Sequence, residues 1–386
     1  MKMPMTFQGN GETGGTKREG RLLSLDVLRG FDMLFIMGFA GLVTCVCQCL
    51  GYGADFWLVR QMGHPDWFGF THHDTIFPLF LFIAGVSFPF SFVRQVERGA
   101  TPWQIRLRCV RRGLVLFALG LAYGGLLRDG TLRLSSVLGR IGFAWMFAAL
   151  LFTWFRARTR LAIAVLILVA YWVLTFTVTA PDHPDAWCLS KEGNISCWVD
   201  RMILFLPKGR LYDNQSTLGL FPAIVTALLG MFAGEIVRKR EWSGNRRALV
   251  LAGASVLCLL LGLLVAYGFG RWSFPVHKKL WSPSFVLVLG CYSYGLFALF
   301  YWLIDVKGWW RRTLFFRVIG MNSITIYLAQ AVVPFTAVAG FFFGWLAMSA
   351  ETWVPGLGPL VGQIAYIGVC WGFLYFLYRK STFLKV

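Results

Sequence analysis

Three of the chain's five histidines and one aspartate (His64, His72, His73 and Asp74) share the stretch GHPDWFGFTHHDTIFPLFLFIAGVS. Imidazole is the side chain best matched to moving protons near neutral pH, and a carboxylate beside it fixes its tautomer and stabilises the imidazolium. Backbone N–H groups at the start of the apolar helix that follows would stabilise a developing oxyanion. The bland alternative is a solvated interfacial loop in which Asp74 serves as the N-cap of that helix. No H-E-x-x-H and no Cys-rich spacing joins these histidines, so no metal is expected here.

The elements that must position these groups are apolar. The 386 residues are 57% hydrophobic and 14% charged, against roughly a quarter charged in soluble domains. Runs of about 20 apolar residues, the length that crosses a bilayer core, recur along the chain. The expected fold is all-α, a polytopic membrane helix bundle of about ten transmembrane helices with both termini cytoplasmic. The spans fall near residues 30–50, 75–93, 113–127, 137–155, 161–179, 218–237, 248–269, 283–304, 318–337 and 360–378. Phe335–Met348 reads as an eleventh short span, a re-entrant piece or an interfacial helix. An odd count would strand the terminal RKSTFLK outside, which favours ten. Residues 1–21 read as a disordered cytoplasmic leader and residues 22–386 as a single transmembrane domain.

The formal charge of +19 could suggest nucleic acid, but no soluble basic module exists to carry such binding. Lys and Arg cluster instead on alternate connections, the orientation signal of cytoplasmic loops, where they also attract anionic lipid head groups of the bilayer. Arg94, Arg98, Arg106, Arg108, Arg111 and Arg112 make the densest of these clusters. The same orientation places the His64–Asp74 loop outside, together with the 181–216 connection and the loop before residue 283. Cys188 and Cys197 share that long outer connection, where a disulfide could form in an oxidising compartment. Cys45, Cys47 and Cys49 read as small packing residues.

Charges at membrane depth are costly and usually partnered. Asp26, Arg29 and Asp32 in SLDVLRGFDM form either an Asp–Arg lock or, for Arg29, a hold on a phosphate. Arg140 either snorkels or points into a polar cavity. Asn322, Ser323 and Gln330 form a polar stripe suited to interhelical hydrogen bonds or a pore lining.

Taken together, these segments resemble a known family. SLDVLRG, HPDWFGFTHHDTIFPLFLFIAG, VLGRIG, YDNQSTLGLFPAI, KKLWSPSF and GMNSITIY stand in the order and spacing of the transmembrane acyltransferases of the heparan-α-glucosaminide N-acetyltransferase family. Their bacterial members include proteins of N-acetylglucosamine utilisation. The resemblance implies transfer of an acetyl group from cytosolic acetyl-CoA to the amine of a glucosamine-type sugar, or glycan end, on the opposite side of the membrane. It assigns catalysis to His64, in H-x-x-W-x-G, with Asp74 as its acidic partner, and leaves His72 and His73 as loop polarity. It points to Arg29, Arg140, Asn322 and Ser323 as donor-binding candidates and to Trp67, Asp213, Lys278 and Trp281 as acceptor-binding candidates. Trp281 would stack on a sugar face. Ala40 stands where the lysosomal members have an active-site asparagine. The family further implies a homodimer, and a bacterial member would lie in the inner membrane. The readings from other classes are an amino-sugar permease and an O-acetyltransferase of envelope polysaccharide.

Overall fold

A computed structural model describes residues 22–124, 135–204, 206, 209–309 and 313–384. The expected leader lies outside them, as do the end of the 113–127 span and the basic Arg311 and Arg312. Among the described residues the regular structure is helical, and the first helices are α1 (Leu23–Leu34), α2 (Ala40–Cys49) and α3 (Trp57–Gln61). A π-helical turn, Phe35–Phe39, joins α1 to α2 where Gly38 adopts a φ of 123°. Then come α4 (Ile76–Glu97), α5 (Pro102–Gly124), α6 (Val137–Trp154), α7 (Ala157–Thr177) and the short α8 (Ile195–Ile203). The second half holds α9 (Leu220–Arg238), α10 (Gly244–Tyr267), α11 (Pro283–Phe300), α12 (Leu314–Met321), α13 (Ser323–Val332), α14 (Phe335–Trp353) and α15 (Leu357–Arg379).

Among the described residues, eight helical segments are long and apolar enough to cross a membrane, and a ninth is reached if α12 and α13, bent by 68° at Asn322, form one span. The protein is a polytopic helical membrane bundle. Two of the expected ten are not among the eight. The 113–127 run passes beyond the described residues after Gly124, and the described part of α5 carries Arg106, Arg108, Arg111 and Arg112 in its first half. The 318–337 run is not one straight helix but the bent pair. Phe335–Met348 makes up most of α14, a continuous 19-residue helix packed on α15.

Lipid tails are as apolar as leucine, so these helices associate by close packing rather than by escape from water. α4 and α9 sit at the centre, in extended contact with each other and contributing to both major hydrophobic clusters. Glycine permits their approach. A Cβ at Gly230 would stand 2.1 Å from the carbonyl oxygen of Phe82, a distance only a hydrogen in that place can satisfy. Helix starts are set by side-chain caps: Ser136 accepts from the Gly139 N–H before α6, Ser243 from Arg246 before α10, and Ser282 from Phe285 before α11.

The functional consequence lies in α4. Its 22 residues make a rod of about 33 Å. The His64–Asp74 loop feeds its N-terminal end, while Ser87, Ser91, Arg94 and Gln95 lie toward the other.

Candidate active site

Asp74 organises the loop. Its Oδ2 accepts from the Thr71 N–H at 3.2 Å, and the one Thr71 hydroxyl proton is shared between the Gly63 carbonyl at 2.8 Å and Asp74 Oδ2 at 3.2 Å. Thr71 and Asp74 thus close a capping box on the His72–Asp74 turn, which satisfies orphan helix donors reciprocally. Asp74 was expected as the N-cap of α4; that position falls to Thr75, and Asp74 is instead the last residue of the turn that Thr71 caps. The other oxygen remains for chemistry. Asp74 Oδ1 lies 2.7 Å from His64 Nδ1, with the Asp74 side chain 1% exposed and that of His64 46% exposed. A buried carboxylate therefore grips an imidazole whose far side faces open space.

Lys278 closes the constellation from over two hundred residues away. Its Nζ stands 3.3 Å from Asp74 Oδ1 and 3.3 Å from each ring nitrogen of His64. A tight turn delivers it: the Trp281 N–H donates to the Lys278 carbonyl, and the Ser282 N–H to that of His277. Trp281 holds a φ of 56° there, a left-handed conformation costly for a bulky residue. Its indole Nε1–H donates to Thr226 Oγ1, Phe77 and Phe285 meet it edge-on, and Arg140 lies over its face. Burial pushes the Lys278 ammonium below its ordinary range, with Asp74 opposing that shift. Burial also takes His277, packed edge-on against Trp67, down to about 3, so it is neutral.

His64, Trp67, Asp74 and Lys278 line one cavity of about 340 Å³ that runs inward to Ile36 and Tyr327. Four of the sequence candidates are thereby brought together. His73, set aside as loop polarity, lies on the same wall with its ring centroid 4.6 Å from that of His64. His72 turns away and pairs its Nε2 with the Tyr292 hydroxyl at 2.9 Å. Asp213 is buried, accepting from the Gln215 N–H at 2.7 Å; its neighbours Asn214 and Gln215 face the cavity instead. Trp281, expected against a sugar face, is 1% exposed and supports the wall from behind through Phe77. The missed residues Asn214, Gln215 and Lys279 stood in the quoted YDNQST and KKLW segments, but their facing depends on loop geometry that spacing does not carry.

A second cavity of about 470 Å³ lies toward the other end of α4, lined by Arg29, Arg94, Arg98 and Arg112 together with Asp26 and Ser87. Arg29 donates to Ser87 Oγ at 3.3 Å and stands 3.8 Å from Asp26, so the lock and an anion-facing guanidinium coexist. Arg140, a donor-binding candidate expected near the outer end of the 137–155 span, lies at that end, on the His64 side, buried in the first turn of α6 and donating to the Ser216 carbonyl; it lines neither the His64 nor the Arg29 cavity. Asn322 and Ser323 are buried at the α12–α13 bend and line neither cavity. Cys188 and Cys197 are free thiols.

The family described as heparan-alpha-glucosaminide N-acetyltransferase, catalytic, matches residues 21–267. That range holds His64, Asp74 and the Arg29 cavity, while Lys278 falls beyond it. Among curated proteins, heparan-alpha-glucosaminide N-acetyltransferase of Mus musculus is 26% identical over 404 residues, covering 90% of this chain and 60% of that protein. The Homo sapiens protein of the same name is 26% identical over 423 residues, covering 95% of this chain and 60% of its own length. The match thus spans about three fifths of those relatives. By the match over residues 21–267, the chain belongs to the heparan-α-glucosaminide N-acetyltransferase catalytic family.

Proposed function

We propose that this protein is a membrane-embedded acetyltransferase. It takes the acetyl group of acetyl-CoA held in the Arg29 cavity and passes it to the amine of a glucosamine-type sugar in the His64 cavity. The observation that carries the reading is the buried Asp74 carboxylate 2.7 Å from His64 Nδ1, in a cavity at the opposite end of α4 from a basic one. With Nδ1–H donated to Asp74, Nε2 is the basic nitrogen. It accepts the proton of the amine as that nitrogen attacks the thioester carbonyl; the C–N bond forms, the C–S bond breaks, and the leaving thiolate takes up the proton. The same Nε2 could first attack the carbonyl itself and carry the acetyl group to the sugar. In either course the Lys278 ammonium sets positive charge beside the carbonyl oxygen as it becomes negative. The donor side is cytosolic and the acceptor side outer, by the distribution of Lys and Arg.

A permease for amino sugars is the second reading, favoured by the 68° break between α12 and α13, since broken helices mark transporter sites. One experiment separates them. Purified protein is given labelled acetyl-CoA and glucosamine, alongside His64→Ala. Transfer should fall at least about a hundredfold in the variant while CoA binding persists. Unchanged transfer removes His64 from catalysis; absence of any CoA binding by the parent protein favours the permease.

A further inference from the structure

We propose that His73 is a second catalytic imidazole, a neutral one, whose Nε2–H donates to the thioester carbonyl oxygen as that oxygen becomes negative. The role rests on the acetyltransferase reading and adds an electrophile to its base. His73 lines the same cavity as His64, Asp74 and Lys278. Its ring meets that of His64 edge-on, at 65° with the centroids 4.6 Å apart. The His72–Asp74 turn that Thr71 caps carries His73 beside Asp74, so one set of hydrogen bonds positions both imidazoles.

The neighbouring histidine supplies the contrast. His72 is pinned into the bundle, its Nε2 paired with the Tyr292 hydroxyl at 2.9 Å and its backbone N–H donating to Gln61 Oε1 at 2.8 Å. Both histidines leave Nδ1 buried without a partner, and they differ at Nε2. Among the described residues no hydrogen bond holds His73 Nε2, which is left to the cavity. An orphaned buried N–H is rarer in proteins than an under-satisfied acceptor. The proton of His73 therefore belongs on Nε2, with the lone pair at the buried Nδ1. A second proton would bury a cationic N–H that nothing receives, so the ring stays neutral.

The two rings then present opposite faces to one space. His64, with Nδ1–H held by Asp74 at 2.7 Å, offers a lone pair at Nε2, whereas His73 offers an N–H. Acyl transfer needs both, a base for the amine proton and donors aimed at the oxygen that gains charge. Lys278 alone is a partial donor, because Asp74 Oδ1 and the His64 ring already stand 3.3 Å from its Nζ and engage some of its three N–H groups. A neutral imidazole supplies the missing donor and keeps its proton throughout, so none has to be returned when the tetrahedral intermediate collapses.

The test is steady-state transfer from labelled acetyl-CoA to glucosamine by the full chain, with His73→Phe and His73→Gln beside the parent. Phenylalanine keeps a ring against His64 and removes the donor; glutamine removes the ring and keeps an N–H. His73→Phe should lose about a hundredfold in kcat with both KM values little changed, the mark of an interaction made in the transition state. His73→Gln should recover about tenfold or more of that loss. The infrared carbonyl stretch of bound acetyl-CoA, recorded without acceptor, should lie lower in the parent and His73→Gln than in His73→Phe. A kcat for His73→Phe within about twofold of the parent's overturns the assignment. So does a His73→Gln no faster than His73→Phe, which would make His73 a packing partner of His64. A parent that neither transfers acetyl nor binds CoA overturns the acetyltransferase reading, and this role with it.

Discussion

Asp74→Asn isolates what the carboxylate contributes, because the structure uses both of its oxygens as acceptors. One accepts from His64 Nδ1–H at 2.7 Å, and the other from the Thr71 N–H and hydroxyl at 3.2 Å. An asparagine offers one acceptor and one donor group. If its oxygen faces His64, its NH₂ faces the Thr71 N–H, and the capping box is lost at a cost of about 1 kcal/mol. If it flips, its NH₂ faces Nδ1, the imidazole proton moves to Nε2, and the nitrogen facing the cavity ceases to be a base. Lys278 loses its counter-charge either way. Removing one charge-assisted hydrogen bond is worth about 1.5–3 kcal/mol, and the wrong tautomer adds to it. The expected loss in kcat is therefore about 10²–10⁴-fold, with the KM for acetyl-CoA changed little. The assay is steady-state transfer from labelled acetyl-CoA to glucosamine, with thermal unfolding in parallel to register the cap. A kcat within twofold of the parent, in a variant that unfolds normally, would refute Asp74 as the group that sets the tautomer of His64.

Arg29→Gln should raise the KM for acetyl-CoA about tenfold and leave that for the amino sugar unchanged, which initial-rate kinetics in both substrates will show. Gly230→Ala should lower stability by about 2 kcal/mol or more, since the new Cβ meets the Phe82 carbonyl 2.1 Å away; a thermal midpoint equal to the parent's would contradict the packing. Burial raises Asp200 to about 6, above its value in an unfolded chain, so the folded state binds the proton more tightly. The stability it contributes is complete below the unfolded pKa near 4 and lost as pH rises through 6, by up to about 3 kcal/mol. Asp200→Asn should flatten that part of the pH–stability curve; an unaltered slope between pH 4 and 6 would refute the assignment.

The histidine loop was legible because its chemistry is local. His64 and Asp74 are ten positions apart, and a single turn folds one onto the other. Lys278 was available only through a motif, since its approach depends on a turn held left-handed at Trp281 and on the packing of α11 beside α4. The end of the bundle at which Arg140 lies followed from its place at the outer end of the 137–155 span, but its partner did not, because the Ser216 carbonyl that fixes it belongs to a distant loop. Trp281 looked like a sugar platform by residue type, yet the turn that presents Lys278 has to bury the indole. The helical class followed directly from apolar run length. The count did not, because a run such as 318–337 carries no mark of the 68° bend at Asn322, where the side chain donates back to the Val318 carbonyl at 3.2 Å.

α4 also acts as a ruler. The His64 loop and the Arg29 cavity are hung on one continuous helix, and from Ile76 to Ser87 the rise is about 16 Å. The gap between the two halves of the site is therefore a number of residues rather than a balance of soft contacts. Inserting one residue between those points would lengthen the gap by about 1.5 Å and turn the two ends by about 100° relative to each other. A donor that works here must match that span with its own arm, and shortening the arm could not be offset by tighter gripping at the basic end.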